Sequence, residues 1–184
     1  MVEARNACAS QRLFLALLLP DSAAADLRSR LAPLQQRTES QLRWRSRRQW
    51  HVTVAFLGQQ RMDQRELICR SAAGAAQMTT VGPLRLQGCG RFNTALWVGV
   101  DNKDWLAELV DRLNARLIDS VDSHSFQGHV TVARSRHRMM PEDFVAQLHD
   151  YCGPEWVPDR LMLMRSVSGA APYYQPLLSW PVPR

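Results

Sequence analysis

The chain has 184 residues and a mass of 21.0 kDa, room for one domain or two small lobes around a core that needs no disulfide or metal staple. Hydrophobic residues at 46% and charged residues at 22% exclude a disordered or collagen-like chain, and no apolar run is long enough to span a bilayer. The formal charge is +6, and of 23 basic side chains only Lys103 is a lysine. Genomic base composition accounts for such a bias as well as function does. A basic surface nonetheless favours polyanions, and the planar fork of arginine donates two hydrogen bonds to one phosphate.

In chain order, residues 13–19 form an apolar run behind Arg5 and Arg12, with Ala23, Ala24 and Ala25 after it, an outline shared with secretory signals. The run is short and Glu3 interrupts the basic leader. The helical spacing of Ala24, Leu27, Leu31 and Leu34 also continues through the supposed cleavage point, so the run is read as a buried strand followed by a helix capped by Asp21 or Ser22. Residues 35–48 are polar and rich in arginine, a solvated loop or a basic rim beside a site. A strand over 50–57 ends at Gly58, and Asp63 with Glu66 opens a second helix to about Gln77, its apolar face Leu67, Ser71, Ala72 and Ala75.

Gly82-Pro83 then breaks the chain before a hairpin of strands 84–89 and 95–100. Asp104 caps a third helix whose inner stripe is Leu106, Leu109, Leu113 and Leu117. A strand over 128–133 follows, then a helix from Pro141 carrying Phe144, Val145 and Leu148. Two closing strands over 160–167 and 174–180 complete the chain, the second placed at an edge by Pro176. This order lacks the alternation of a doubly wound sheet and predicts an α+β fold with antiparallel sheet.

Cys8, Cys69, Cys89 and Cys152 are scattered, without a C-x-x-C pair or the histidine spacing of a zinc site. No metal or other cofactor is expected, and the thiols read as those of a reduced, cytoplasmic protein.

The strongest signal is a repeat. His51-Val52-Thr53-Val54-Ala55 recurs letter for letter as His129-Val130-Thr131-Val132-Ala133, each copy in a predicted strand about midway through its half of the chain. Alternation puts Val52, Val54 and Phe56 on one face, with His51 and Thr53 on the other; Val130 and Val132 separate from His129 and Thr131 in the same way. Phe56 is therefore expected in the core. If a pseudo-twofold relates the halves, the two His-Thr pairs face each other across one cleft. Two imidazoles can act as general base and general acid on opposite sides of a reacting group, while the threonine hydroxyls hold an anion between them. In-line displacement at phosphorus needs that arrangement and no metal.

The paired H-x-T-x motifs resemble the two-histidine (2H) phosphoesterase superfamily, and the chain is most similar to its bacterial RNA 2′,3′-cyclic phosphodiesterases, also called 2′-5′ RNA ligases. The likeness begins with R-L-F-L-A-L at 12–17, H-V-T-V-A-F-L-G at 51–58 and A-L-W-V-G-V at 95–100. It continues with H-V-T-V-A-R at 129–134, Arg165-Ser166, Tyr174 and Trp180-Pro181. The resemblance implies one domain over 1–184 made of two interleaved lobes, with pseudo-twofold antiparallel sheets around a central cleft and helices outside. It implies metal-free hydrolysis of a terminal ribose 2′,3′-cyclic phosphate to a 2′-phosphate; some relatives also perform reversible 2′-5′ ligation of RNA ends, which the resemblance leaves open for this chain.

By motif, His51 is the proton donor to the departing 3′ oxygen, His129 the proton acceptor from water, and Thr53 and Thr131 bind the phosphate oxygens. Arg134 matches the family's arginine after the second motif, yet strict alternation points it away from His129 unless the strand ends or bulges there. This chain also departs from the pattern in reading S-F-Q-G before His129 and in lacking a Pro-rich stretch before His51. The expected partners are RNA with 2′,3′-cyclic phosphate ends or small cyclic-phosphate nucleotides, with no membrane, and the protein is expected to be a monomer. Other readings keep the fold but act on small cyclic nucleotides or 2′-5′ oligonucleotides, or bind RNA without catalysis. His124, His137 and His149 are read as surface or structural histidines. Trp44 is a candidate for base stacking, Trp50 for burial, and the arginines of 43–48 for RNA phosphates.

Overall fold

The computed structural model describes residues 10–101, 103–117, 126–137, 139–169 and 172–184; Cys8 and His124 lie outside them. Strand β1 (Ser10–Leu18) leads to helix α1 (Asp21–Thr38), then β2 (Leu42–Trp44), a 3₁₀ turn (Arg47–Gln49) and β3 (His51–Arg61). Helix α2 (Arg65–Gln77), the hairpin β4 (Leu84–Phe92) and β5 (Ala95–Val100), and α3 (Asp104–Leu117) follow. The chain closes with β6 (His129–Ser135), the short α4 (Asp143–Ala146), β7 (Cys152–Trp156), β8 (Arg160–Val167) and β9 (Tyr173–Pro181).

The expected α+β class holds. One sheet has the order β3-β1-β8-β9 and the other β2-β6-β5-β4-β7, and the strand pairs are antiparallel. Without β2, each sheet begins at a strand carrying one copy of the pentapeptide. The apolar run at the start of the chain becomes β1, buried on both faces. Leu13, Leu15 and Leu17 enter the main core with Leu27, Leu31 and Leu34 of α1, while Phe14 and Ala16 form a smaller cluster with Met164. β9 lies at an edge, where Pro176 costs no ladder bond to a further strand. No helix among the described residues is long and apolar enough to cross a membrane.

Several sequence expectations need correction. α1 begins after Pro20, and neither Asp21 nor Ser22 caps it with a side-chain hydrogen bond. Leu67 faces solvent at 52% exposure, and Ile68 takes its place on the inner side of α2. The helix expected from Pro141 is only four residues long, though Phe144 and Leu148 are buried as expected. The arginine-rich segment contains β2, too short and polar to show a period, and it forms because β6 supplies a ladder partner. β3 runs past Gly58, whose φ of +68° lets the strand bulge and continue.

Candidate active site

The largest correction concerns parity. In β1–β3 pairing, Leu15 opposes Ala55 and Ala16 opposes Thr53, so Val54 is an extra residue. In β5–β6 pairing, Leu96 opposes Ala133 and Trp97 opposes Thr131, so Val132 is extra in the same way. Each pentapeptide therefore carries a bulge at its fourth residue, and the next two residues exchange faces. Ala55 and Ala133 turn into the core, and Phe56 and Arg134 turn out beside their histidines. Phe56, expected in the core, is 68% exposed and lines the cleft. The conflict between motif and alternation at Arg134 resolves by the bulge.

His51, Thr53, His129, Thr131 and Arg134 line one cleft of about 240 Å³, so the two copies of the motif meet across it. Arg12, Arg45, Phe56, Ser166 and Tyr174 complete much of the wall. No carboxylate lines it among the described residues. Those residues also contain no cluster of three His, Cys, Asp or Glu side chains able to hold a metal. His137 and His149 are exposed elsewhere.

The two imidazoles are held alike. His51 Nδ1 lies 2.8 Å from the Gln49 carbonyl oxygen, and His129 Nδ1 lies 2.8 Å from that of Gln127. A carbonyl only accepts, so each Nδ1 carries the proton, leaving Nε2 of the neutral ring as the free acceptor. The 3₁₀ turn places the Gln49 carbonyl, its own geometry held by the Ser46 N–H donating to Gln49 Oε1 at 3.1 Å. Extending the repeat two residues upstream to Gln-x-His would have flagged both carbonyls; the glutamine side chains play no part in the contact.

Aromatic rings fix the remaining freedom. His51 sits between Phe14, with ring centroids 4.8 Å apart, and Tyr174 at 4.9 Å. His129 sits against Phe92 at 5.2 Å and Trp97 at 5.7 Å. Burial among these rings disfavours the imidazolium. It is the main cause that holds His51 down to about 4; the Gln49 bond opposes it, and the charges of His129 and Arg45 act with it. His129 is also lowered by burial, against the raising effect of the Gln127 bond.

Gly90 makes the aromatic wall possible, because it lies opposite Trp97 and a Cβ there would collide with the indole. Gly90→Ala is expected to destabilise the fold by about 1–3 kcal/mol through overpacking, read by urea denaturation. Activity should fall with it, because the displaced indole supports His129. Unchanged stability and rate would mean that Trp97 has room to move.

Trp44 and Trp50 do not enter the cleft. Trp50 is buried as expected, and the Trp44 indole N–H donates to Thr38 Oγ1 at 3.3 Å. Of the arginines in 43–48, Arg45 reaches the cleft and Arg47 pairs with Asp21. Composition alone did not separate them.

Two antiparallel sheets that each present a His-x-Thr strand to a shared cleft define a two-histidine phosphoesterase fold. Residues 16–170 match the model of the 2′-5′ RNA ligase superfamily, and the chain belongs to that family. Among curated proteins, none matches the chain. Among solved structures, E. coli LigT complexed with ATP is similar at 21% identity and TM-score 0.71, over 96% of this chain and 100% of LigT. LigT complexed with 3′-AMP is 19% identical at TM-score 0.74, covering 95% of this chain and 99% of that one. TT0787 of Thermus thermophilus is 21% identical at TM-score 0.75, covering 93% and 97%. At these identities the likeness is one of fold.

Proposed function

We propose that this protein hydrolyses RNA terminal 2′,3′-cyclic phosphates to 2′-phosphates without a metal. The observation that carries the reading is the pair of imidazoles, each pinned through Nδ1, facing one basic cleft. His129 Nε2 takes a proton as water oxygen bonds to phosphorus. The bond from phosphorus to O3′ breaks as His51, protonated at Nε2, delivers its proton to that oxygen. Thr53 and Thr131 donate to the non-bridging oxygens, and Arg134 and Arg45 offset their charge. With a 5′-hydroxyl in place of water, the same displacement joins O5′ to phosphorus and leaves a 2′-5′ linkage.

The chain works in this reading as one domain of two interleaved lobes, each contributing one motif. LigT was crystallised with 3′-AMP and with ATP, which supports a nucleotide in the corresponding cleft here. A purely RNA-binding role has no use for two imidazoles on one cleft whose Nε2 atoms have no hydrogen-bond partner among the described residues. Turnover of an oligonucleotide with a 2′,3′-cyclic end should persist in excess EDTA, with chromatography identifying a 2′-phosphate product. Loss of activity on chelation, or a 3′-phosphate product, would overturn the mechanism.

A further inference from the structure

Beyond Arg45 and Arg134 the cleft opens into a second groove of about 680 Å³, walled by Arg43, Trp44, Arg45, Thr94, Arg134 and Arg136. Its construction is unusual. Arg43 on β2 stands directly opposite Arg134 on β6. The ladder extends at both ends, with the Arg45 N–H donating to the Val132 carbonyl at 2.8 Å and the Arg136 N–H to that of Gln41 at 3.0 Å. Arg43 and Arg134 thus face each other at the middle of this ladder, with Arg45 and Arg136 two residues further on toward its opposite ends, and all four arginines line one groove.

Like charges directly opposite on neighbouring strands destabilise a sheet. Among the described residues, none of the four is in an ion pair and no carboxylate lines the groove. Acidic side chains are spent elsewhere, on Arg47, Arg85 and Arg91 for example. Among the described residues, Arg134 alone of the four has a side-chain partner, the Thr94 hydroxyl at 3.3 Å. An uncompensated concentration of planar donors next to the cleft that holds the two imidazoles fits a further phosphate.

We propose that this groove is a subsite for the backbone phosphate on the 5′ side of the terminal nucleotide, so that the enzyme selects RNA ends over mononucleotides. The inference rests on the cyclic-phosphate reading of the cleft. An RNA chain leaves its terminal ribose only through O5′. With the cyclic phosphate between the imidazoles, the next phosphodiester therefore belongs in the adjoining space. Arg45 and Arg134 border both spaces, and Arg43 and Arg136 belong to the groove alone. Trp44, held by its bond to Thr38, forms a fixed part of the wall.

The test uses the double variant Arg43→Gln with Arg136→Gln and a fluorescein-labelled hexanucleotide ending in a 2′-phosphate, followed by anisotropy across a salt series. The variant should bind about tenfold more weakly, with the slope of log affinity against log salt reduced by roughly one unit, while 2′-AMP competes as for the unaltered protein. A hexanucleotide with a neutral methylphosphonate at its last linkage should bind the unaltered protein as weakly as the variant binds the charged one. The variant should not distinguish the two. Equal loss for 2′-AMP and the hexanucleotide, or no effect of the methylphosphonate, would overturn the subsite; so would competition by polyglutamate as effective as by RNA. Absence of cyclic-phosphate hydrolysis in the unaltered protein would remove the reading of the cleft, yet leave this binding contrast to stand or fall by itself.

Discussion

Replacing either His51 or His129 by alanine is expected to lower kcat on a 2′,3′-cyclic-ended oligonucleotide by about a hundredfold or more, with the fold retained. Neither ring belongs to the main core: each is partly exposed and lines the cleft, so its loss removes chemistry before it removes packing. His51→Ala does leave space beside Phe14 and Tyr174, which His51→Gln largely fills. Both variants of that position should be inactive, because an amide neither gives nor takes the proton. The double variant should lose little more than the worse single one if donor and acceptor act on one displacement, as proposed. Urea midpoints near that of the unaltered protein, beside the loss of rate, are the expected pattern. A single alanine variant turning over at the unaltered rate would refute the paired roles.

The second large effect is on pH. In the proposed mechanism one imidazole is charged and the other neutral, yet burial lowers both in the free protein, His51 to about 4. At pH 7 the free cleft is therefore mostly unprotonated at these rings, and an arriving phosphate anion raises their affinity for a proton. kcat/KM should accordingly rise as pH falls from neutrality and decline again at lower pH, once both rings are charged. On the alkaline side it should drop about tenfold per pH unit. The kcat optimum should lie at higher pH, because bound substrate stabilises the imidazolium. Calorimetry of 2′-AMP binding in two buffers of different ionisation enthalpy should show proton uptake at pH 7. No uptake, or a flat pH profile, would mean that the rings do not share one anion.

Much of the architecture can be read without coordinates because its signals are local. The inner stripe of α3, Leu106, Leu109 and Leu113, follows from the 3.6-residue period, and the burial of residues 13–17 from a continuous apolar run. The repeated pentapeptide names both histidines and both threonines, since alternation makes His and Thr neighbours on one face whatever the strand pairs with. Helix ends were less legible: Pro20 and not Asp21 precedes α1, and no side-chain cap marks the start.

What composition and period could not contain is the shift of register. The bulges at Val54 and Val132 arise only when β3 meets β1 and β6 meets β5, and they send Phe56 and Arg134 to the face opposite from the one alternation assigns. The pairing of β2 with β6 likewise juxtaposes arginines some ninety residues apart (Arg43 with Arg134), a proximity no short-range pattern encodes. Residue identity and local periodicity thus chose the chemical groups and the strands that bear them. The direction in which several of those groups point was settled by hydrogen bonding between distant strands, because a side chain's face depends on its partner's register as well as on its own place in the chain.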